Sequence, residues 1–443
     1  MNIIPAFIRR RIQHRPNLVK IVDNIGWLFL DKVLRMGVGL LVGVWIARYL
    51  GPEQFGLLNF ALAFTGLFGA LAGMGLQSIV VRDIVRDPSG ANLTLGTAAV
   101  LQIVGGLLSF LIILGAIAWV RPDDPLARSI VAIMGAMMLF KASEIAVYWF
   151  ESQVQSKYTV WVQNGVFLLF AAVKVALILS QAPLTAFVWV MLAEVVLVAV
   201  ILLLVMGRYG PALSGLRASW LRAKTLLKDS WPLMLSGVAI TIYMKTDQIM
   251  LGQMLGDEAV GIYSVALRIS EIWYFIPMVI VASLFPAILN AKQQSEALYY
   301  QRLQNLFSIM VWLAIAIAVP MTFLSTFVVT LLFGQAFAEA GPVLAIHIWT
   351  AVFVFLGVAG SRWYVTENLQ SKQLVIIVSG AILNVALNYI LIPAYGVIGA
   401  AISTLIAQAS SAFLFDAFFP TTRRIFFMKC ISPKPPVFQK LHF

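Results

Sequence analysis

The chain has 443 residues, 61% of them hydrophobic and 11% charged, with a mean hydropathy of +0.92, whereas a soluble domain carries about 25% charged residues. So little polar surface cannot cover such a core in water, which excludes a soluble globular protein. The net charge of +12 implies no nucleic-acid partner, because the basic residues flank apolar segments, where anionic membrane lipids meet them more simply.

A hydrocarbon layer needs about 20 mostly apolar residues per helical crossing. Such segments recur from Asn24 to Phe419. Twelve crossings are expected, at about 24–49, 55–77, 93–119, 127–150, 158–180, 184–206, 231–254, 260–289, 304–332, 341–363, 373–393 and 396–419. Gly and Pro interrupt many of them, as suits bent helices packed on each other rather than barrel strands. The first run is too long for a removable secretory signal and lacks a small-residue cleavage site, so it reads as the first helix.

Lys and Arg in short flanking loops stay on the cytoplasmic side of a bilayer. Of the 31 in this chain, 22 fall in the N-terminal arm, the even-numbered loops and the tail. Arg9, Arg10, Arg11, Arg15 and Lys20 open that set, and Arg423, Arg424, Lys429, Lys434 and Lys440 close it. Only Arg48, Arg121 and Arg128 fall on the other side, which places both termini in the cytoplasm. Cys430 is the single cysteine, so neither a disulfide framework nor a CxxC metal site is available. No cofactor or metal is expected.

The longest polar interval, Gly207 to Ser230, divides the chain into two groups of six helices, residues 1–215 and 216–443. Its basic residues and interspersed Leu, Trp and Ala suit an amphipathic segment on the inner leaflet. The halves look related: Leu50 to Leu62 reads LGPEQFGLLNFAL and Leu255 to Leu267 reads LGDEAVGIYSVAL, six identities in thirteen at an offset of 205. Chance or a shared loop geometry would also give so short a match. Its identical place in both halves favours duplication. Repeats of one orientation imply a symmetry axis along the membrane normal and a central site between two bundles, exposed to alternate sides by rocking.

Three stretches resemble one family: Ala47 to Phe64, ARYLGPEQFGLLNFALAF; Asp247 to Leu267, DQIMLGQMLGDEAVGIYSVAL; and Asn384 to Ile406, NVALNYILIPAYGVIGAAISTLI. They are similar to the first loop, the seventh and eighth helices and the closing helices of the polysaccharide-biosynthesis branch of the multidrug, oligosaccharidyl-lipid and polysaccharide (MOP) exporter superfamily, the O-antigen and lipid-linked oligosaccharide flippases. The resemblance implies an all-α integral membrane protein of the bacterial inner membrane, with about twelve helices in two pseudo-symmetric six-helix, MATE-like lobes. It also implies movement of a polyprenyl-pyrophosphate-linked oligosaccharide from the cytoplasmic to the periplasmic leaflet. A glycan polymerase and chain-assembly proteins would then be partners. Two lobes already complete a pathway, so a monomer is expected.

A charge at the bilayer centre costs about 2.5 to 3.5 kcal/mol on insertion scales, so such groups face a partner or a wet cavity. The basic set here is Lys32, Arg35, Lys141, Lys174, Lys245 and Arg268; the acidic set is Asp31, Glu144, Glu194, Asp247 and Glu271. Helical spacing gives three pairs a purely structural reading: Asp31 with Arg35, Lys141 with Glu144, and Arg268 with Glu271. Lys174, near the outer end of helix five, has the reach to snorkel. On the functional reading, Arg35, Lys245, Arg268 and Lys141 hold the pyrophosphate, because fixed cations offset its desolvation. Asp31, Glu194, Asp247 and Glu271 are the candidates for ion coupling or for counter-ions. Glu194 has no basic neighbour on its own turn, which leaves either a proton carrier or a hydrogen bond to another helix. Tyr148, Trp149 and Phe150, with Trp273, Tyr274, Phe275, Trp363 and Tyr364, either stack on sugars or form interfacial belts. For His347 a packed, hydrogen-bonded role is expected.

No GxxxxGK[ST] phosphate loop occurs, which excludes an ATP-driven pump of that kind. A membrane glycan polymerase or ligase would present a sizeable outer loop, and the largest here is about Val120 to Leu126. The nearer alternative is an ion-coupled small-molecule or drug exporter of the same superfamily. A cation exporter should have a cavity dominated by acids.

Overall fold

A computed structural model describes residues 16–432, so Arg9, Arg10, Arg11, Arg15, Lys434, Lys440 and the side chain of Lys20 lie outside the described residues. In chain order the helices are α1 (Pro16–Gly66), α2 (Gly69–Gly73), α3 (Gln77–Arg86), α4 (Ala91–Val120), α5 (Pro125–Gly135), α6 (Glu144–Ser152), α7 (Lys157–Leu179) and α8 (Leu184–Tyr209). They continue as α9 (Trp220–Met254), α10 (Asp257–Glu271), α11 (Phe275–Gln294), α12 (Glu296–Phe333), α13 (Ala340–His347), α14 (Thr350–Thr366), α15 (Gln370–Ala412) and α16 (Arg423–Ile431). No strand occurs among the described residues.

Nine helical segments among the described residues are long and apolar enough to cross a membrane. Two of them, Phe29–Gly66 and Gln370–Ala417, are bent at a glycine, Gly51 at φ 72° and Gly396 at φ 62°, and each supplies two crossings. The remaining crossing is α9, which Lys245 and Asp247 make less apolar. The chain is therefore a multi-pass, all-α membrane protein, with twelve crossings among the described residues, as its hydropathy implies. Exposed apolar side chains such as Trp119 and Phe323 would be a liability in water and suit hydrocarbon.

The described chain forms two compact units. One holds the chain up to Leu50 together with Ala61–Thr241, and the other holds Gly51–Phe60 together with the chain from Ile242. This division differs from the polar-interval boundary at 215/216 because the first half of α9 packs within the first unit. Ala223 and Leu226 are buried there beside Ile79, Val80 and Leu95. Arg222 bridges Asp83 at 2.8 Å, and Arg82 bridges Asp229 at 2.6 Å, so α9 is tied to α3 at its polar end. The Arg82 guanidinium holds the Asp229 carboxyl below its ordinary range.

The two copies of the repeat share a backbone shape and pack on each other inside the second unit. Gly51 has φ 72° and ψ 175°, and Gly256 has φ 90° and ψ 179°, a left-handed setting that L side chains adopt at a cost. Beyond these turns the helices cross almost backbone to backbone. A Cβ on Gly56 would lie 1.7 Å from the Asp257 carbonyl oxygen, and one on Gly261 would lie 2.0 Å from that of Pro52. Asp257 is the counterpart of Pro52, and Gly261 of Gly56, at the repeat offset. The contact is therefore reciprocal, as pseudo-two-fold packing of duplicated segments requires.

The tail differs from expectation at Lys429. Its side chain is only 2% exposed and pairs at 2.6 Å with Asp416, itself 1% exposed. Lys429 is thus buried under α16 rather than placed against lipid headgroups. Ile425 and Met428 enter the same core as Phe307 and Phe355, and their burial holds α16 in place. Cys430 is exposed.

Candidate functional site

A cavity of about 640 Å³ opens inside the first unit, lined by Arg35, Lys141, Lys174, Glu144, Glu194 and Tyr148 among others. It forms where α1, the 3-10 segment Ala136–Ser143, α6, α7 and α8 meet. Each of its cations is held by an acid: Arg35 by Asp31 at 2.8 Å, Lys141 by Glu144 at 2.6 Å and Lys174 by Glu194 at 2.6 Å. The first two pairs follow from helical spacing. The third joins α7 to α8, so Lys174 does not snorkel and Glu194 has found its partner on another helix.

The side chains of Arg35, Lys141 and Glu144 stay about a third exposed, which leaves these groups open to a ligand. Arg35 also lies over the Phe167 ring, 5.3 Å from its centroid. Below Glu144 a buried relay runs inward: Tyr148 donates to Glu144 at 3.2 Å, and Gln102 donates to Tyr148 at 2.8 Å. Tyr148 therefore joins this cavity to the buried Gln102. Gln102 carried no sequence signal, because a single Gln in an apolar run has no spacing partner.

The second unit contains the other predicted groups, and none of them lines that cavity. Asp247 is buried and accepts from Tyr263 at 2.7 Å, from Asn388 at 2.5 Å and from Thr404 at 2.5 Å. Among the described residues it makes no ion pair with Lys245. Tyr263 belongs to the second resemblance stretch, and Asn388 and Thr404 to the third, so stretches far apart in sequence converge on one carboxylate. Two buried polar atoms beside it, Asn384 Nδ2 and Asn388 Oδ1, have no hydrogen-bond partner among the described residues.

Arg268 and Glu271 do not form the expected ion pair among the described residues. The Arg268 guanidinium lies over Phe55, 5.4 Å from the ring centroid, while Glu271 feels the charges of Lys245 and Arg268 at longer range. His347 accepts or donates at Nδ1 with Ser270 at 2.7 Å, the packed role expected of it. Trp363 and Tyr364, 2% and 4% exposed, lie in the core of the second unit and are neither a belt nor a sugar platform. Phe150 is likewise fully buried.

Replacing Asp247 by Ala would strand three donors, Tyr263, Asn388 and Thr404, each costing about 1–3 kcal/mol when buried and unpaired. We expect that variant to melt well below the native protein in detergent, while Asp247→Asn, which keeps an acceptor, falls in between. Equal melting of all three would mean that Asp247 organises nothing.

Twelve membrane helices carrying reciprocal repeat packing and a charged cavity define a multi-pass protein of the MOP transporter fold. The fold is similar to that of an inward-facing multidrug resistance transporter of the MATE family and MOP superfamily, with a TM-score of 0.74 over 90% of this chain and 96% of that one, at 16% identity. It is also similar to the lipid II flippase MurJ in an inward closed conformation, with a TM-score of 0.69 over 91% of this chain and 90% of that one, at 15% identity. A family model described as polysaccharide biosynthesis protein matches residues 21–292, and the MatE model matches residues 232–390.

The chain belongs to the polysaccharide biosynthesis protein family. It is 23% identical over 401 residues to the probable low-salt glycan biosynthesis flippase Agl15 of Haloferax volcanii, covering 87% of this chain and 81% of that one. It is 23% identical over 346 residues to the succinoglycan biosynthesis transport protein ExoT of Rhizobium meliloti, covering 74% of this chain and 66% of that one.

Proposed function

We propose that the protein is a flippase that carries a polyprenyl-pyrophosphate-linked oligosaccharide from the cytoplasmic to the periplasmic leaflet of the bacterial inner membrane, by alternating access, for surface polysaccharide assembly. Both termini are cytoplasmic on this reading, and the protein is a transporter with no covalent chemistry of its own. The observation that carries the proposal is the first unit's cavity, which gathers Arg35, Lys141 and Lys174, each held ready by one acid. An exporter of cations would need acids left open to the cargo, whereas Glu144 and Glu194 are each paired with a lysine. Relatives described as a probable low-salt glycan biosynthesis flippase and as a probable flippase add support.

The ion pairs hold the cations ready. A pyrophosphate brings two phosphoryl groups to Lys141 and Arg35 and displaces Glu144 and Asp31, whose interaction with the cations is weaker than that of a multiply charged anion. Lys245 and Arg268 are the second unit's candidates for the same headgroup. Glu194 and Glu271 remain candidates for a coupled proton. Asp247, a buried carboxylate that accepts from two hydroxyls and the Asn388 amide N–H, is a further candidate for a coupled proton.

In proteoliposomes holding a fluorescent prenyl-diphosphate disaccharide, Lys141→Gln and Arg35→Gln should each slow flipping by about ten-fold or more. Native rates in both variants would remove the cavity from the pathway. Failure of the native protein to flip any prenyl-diphosphate probe would overturn the function. A further expectation concerns coupling: Asp247→Asn should abolish the dependence of flipping on an ion gradient while leaving downhill exchange intact. A variant that still responds to the gradient would exclude Asp247 as the coupling group.

A further inference from the structure

The acids of the charged cavity are not equivalent. Among the described residues Asp31 is held by Arg35 and Glu194 by Lys174, and neither has a second side-chain donor. Glu144 has two, one on each carboxylate oxygen. Lys141 Nζ donates to Oε1 at 2.6 Å, and the Tyr148 hydroxyl donates to Oε2 at 3.2 Å. The sequence arranges this, because Lys141 lies three residues before Glu144 and Tyr148 four residues after it, spacings that bring both to the same helix face.

The two donors are held differently. Lys141 is about a third exposed, on a flexible four-carbon stem. Tyr148 is buried, its ring in the same core as Leu101 and Leu202. Its hydroxyl also has a fixed polarity. A carboxylate can only accept, so the Tyr148 proton points at Glu144, and the Tyr148 oxygen accepts the Gln102 amide N–H at 2.8 Å. Gln102 is fully buried, which fixes the far end of the relay. The distances show where the carboxylate rests. A full O–H bond to a carboxylate spans about 2.5–2.7 Å, so the Tyr148 contact is loose while the Lys141 contact is tight. Glu144 therefore has about half an ångström to travel toward Tyr148.

We infer that Tyr148 is the positioning residue that takes over Glu144 when the diphosphate of the cargo claims Lys141. The inference rests on the flippase reading and adds how the acid is cleared from the site. With no second partner, a Glu144 released by Lys141 would be a bare carboxylate beside a multiply charged anion. Like charges repel more strongly in a partly buried cavity than in water. The Tyr148 donor, already aimed, tightens onto the carboxylate instead, and Gln102 strengthens it by polarising the hydroxyl. Lys141 is thus neutralised while the cavity is empty and made available when an anion arrives. Asp31 and Glu194 have no such second donor, so this assisted exchange belongs to the Lys141 pair.

The test measures binding of farnesyl diphosphate to the full chain in phosphatidylcholine nanodiscs, arranged as a mutant cycle. Tyr148→Phe by itself would strand the Gln102 N–H, so the variant is Gln102→Leu, Tyr148→Phe, which removes donor and acceptor together. It should bind the diphosphate about ten-fold more weakly than the native protein, the order expected for one lost hydrogen bond to a charged group. In a Glu144→Gln background the same two substitutions should change the affinity by less than about two-fold, because a neutral amide is not repelled by the anion. Gln102→Leu keeps the Tyr148 hydroxyl and loses only its polarisation, so it should weaken binding by about three-fold, again only with Glu144 present. It serves in place of the double variant if that protein does not fold. An equal loss in both backgrounds would reduce Tyr148 and Gln102 to packing, and no loss in either would also overturn the inference. Failure of farnesyl diphosphate to bind the native protein is a separate outcome, and it would overturn the flippase reading and the inference with it.

Discussion

Gly261→Val is expected to abolish a monodisperse, folded protein, and Gly261→Ala to destabilise it severely. The added Cβ would lie 2.0 Å from the Pro52 carbonyl oxygen, 2.9 Å from its carbon and 3.2 Å from the Gly56 nitrogen. All three are backbone atoms, so no rotamer change relieves the clash and the two helices must separate. Inserting one or two carbons into a well-packed contact costs about 1–3 kcal/mol even where side chains can yield, and here they cannot. In membranes such crossings depend on small residues, because close approach replaces the hydrophobic drive that lipid removes. Gly56→Ala should behave the same way, since its Cβ would meet the Asp257 carbonyl oxygen at 1.7 Å. Gly115→Ala and Gly165→Ala, with nothing within 4 Å, are the controls and should melt as the native protein does. Native melting of Gly261→Ala by size-exclusion thermal shift would disprove the close crossing.

The second large effect is expected at Asp416. Removing one partner from a fully buried ion pair strands the other charge and costs about 3–5 kcal/mol. Asp416 also accepts from the Tyr364 hydroxyl, and its backbone carbonyl accepts from Thr422 at 2.6 Å. Lys429 in turn donates to the Ala412 carbonyl at 2.7 Å. Asp416→Ala should therefore release α16, seen as a lowered melting temperature and early proteolysis after Arg423 or Arg424. The double variant Asp416→Leu, Lys429→Met removes both charges and should recover much of the loss. If the single variant melts like the native protein, the pair is not buried in the folded molecule. If the double variant is no better than the single, the penalty comes from the lost hydrogen bonds rather than from the stranded charge.

Much of the fold was legible because membrane crossing leaves a compositional mark. Apolar runs about 20 residues long, broken by short polar turns, led to the twelve helices, and the asymmetry of Lys and Arg led to the proposed orientation. The repeat was legible too, since Gly51 and Gly256 mark turns that only glycine makes cheaply. Local ion pairs such as Lys141 with Glu144 followed from helical spacing. Pairs between helices did not: Lys174 and Glu194 are twenty residues apart, and nothing in either segment announces the other. The same limit applied to Lys429, whose place in a basic tail read as lipid-facing. Its partner Asp416 and the Phe307 ring beneath its ammonium come from other segments.

Composition and periodicity thus determined by themselves that this chain crosses a membrane many times as a bundle of bent helices with a duplicated plan. Those properties depend on the solvent and on residues close in sequence, and each segment states them alone. Which charges share a cavity, which meet one another and which aromatics stay open were decided only by the tertiary structure. Side chains on different helices acquire a common dielectric environment and common partners only when the helices pack. That is why Arg35, Lys141 and Lys174 share one cavity with their acids, and why Asp247 gathers groups from two distant stretches.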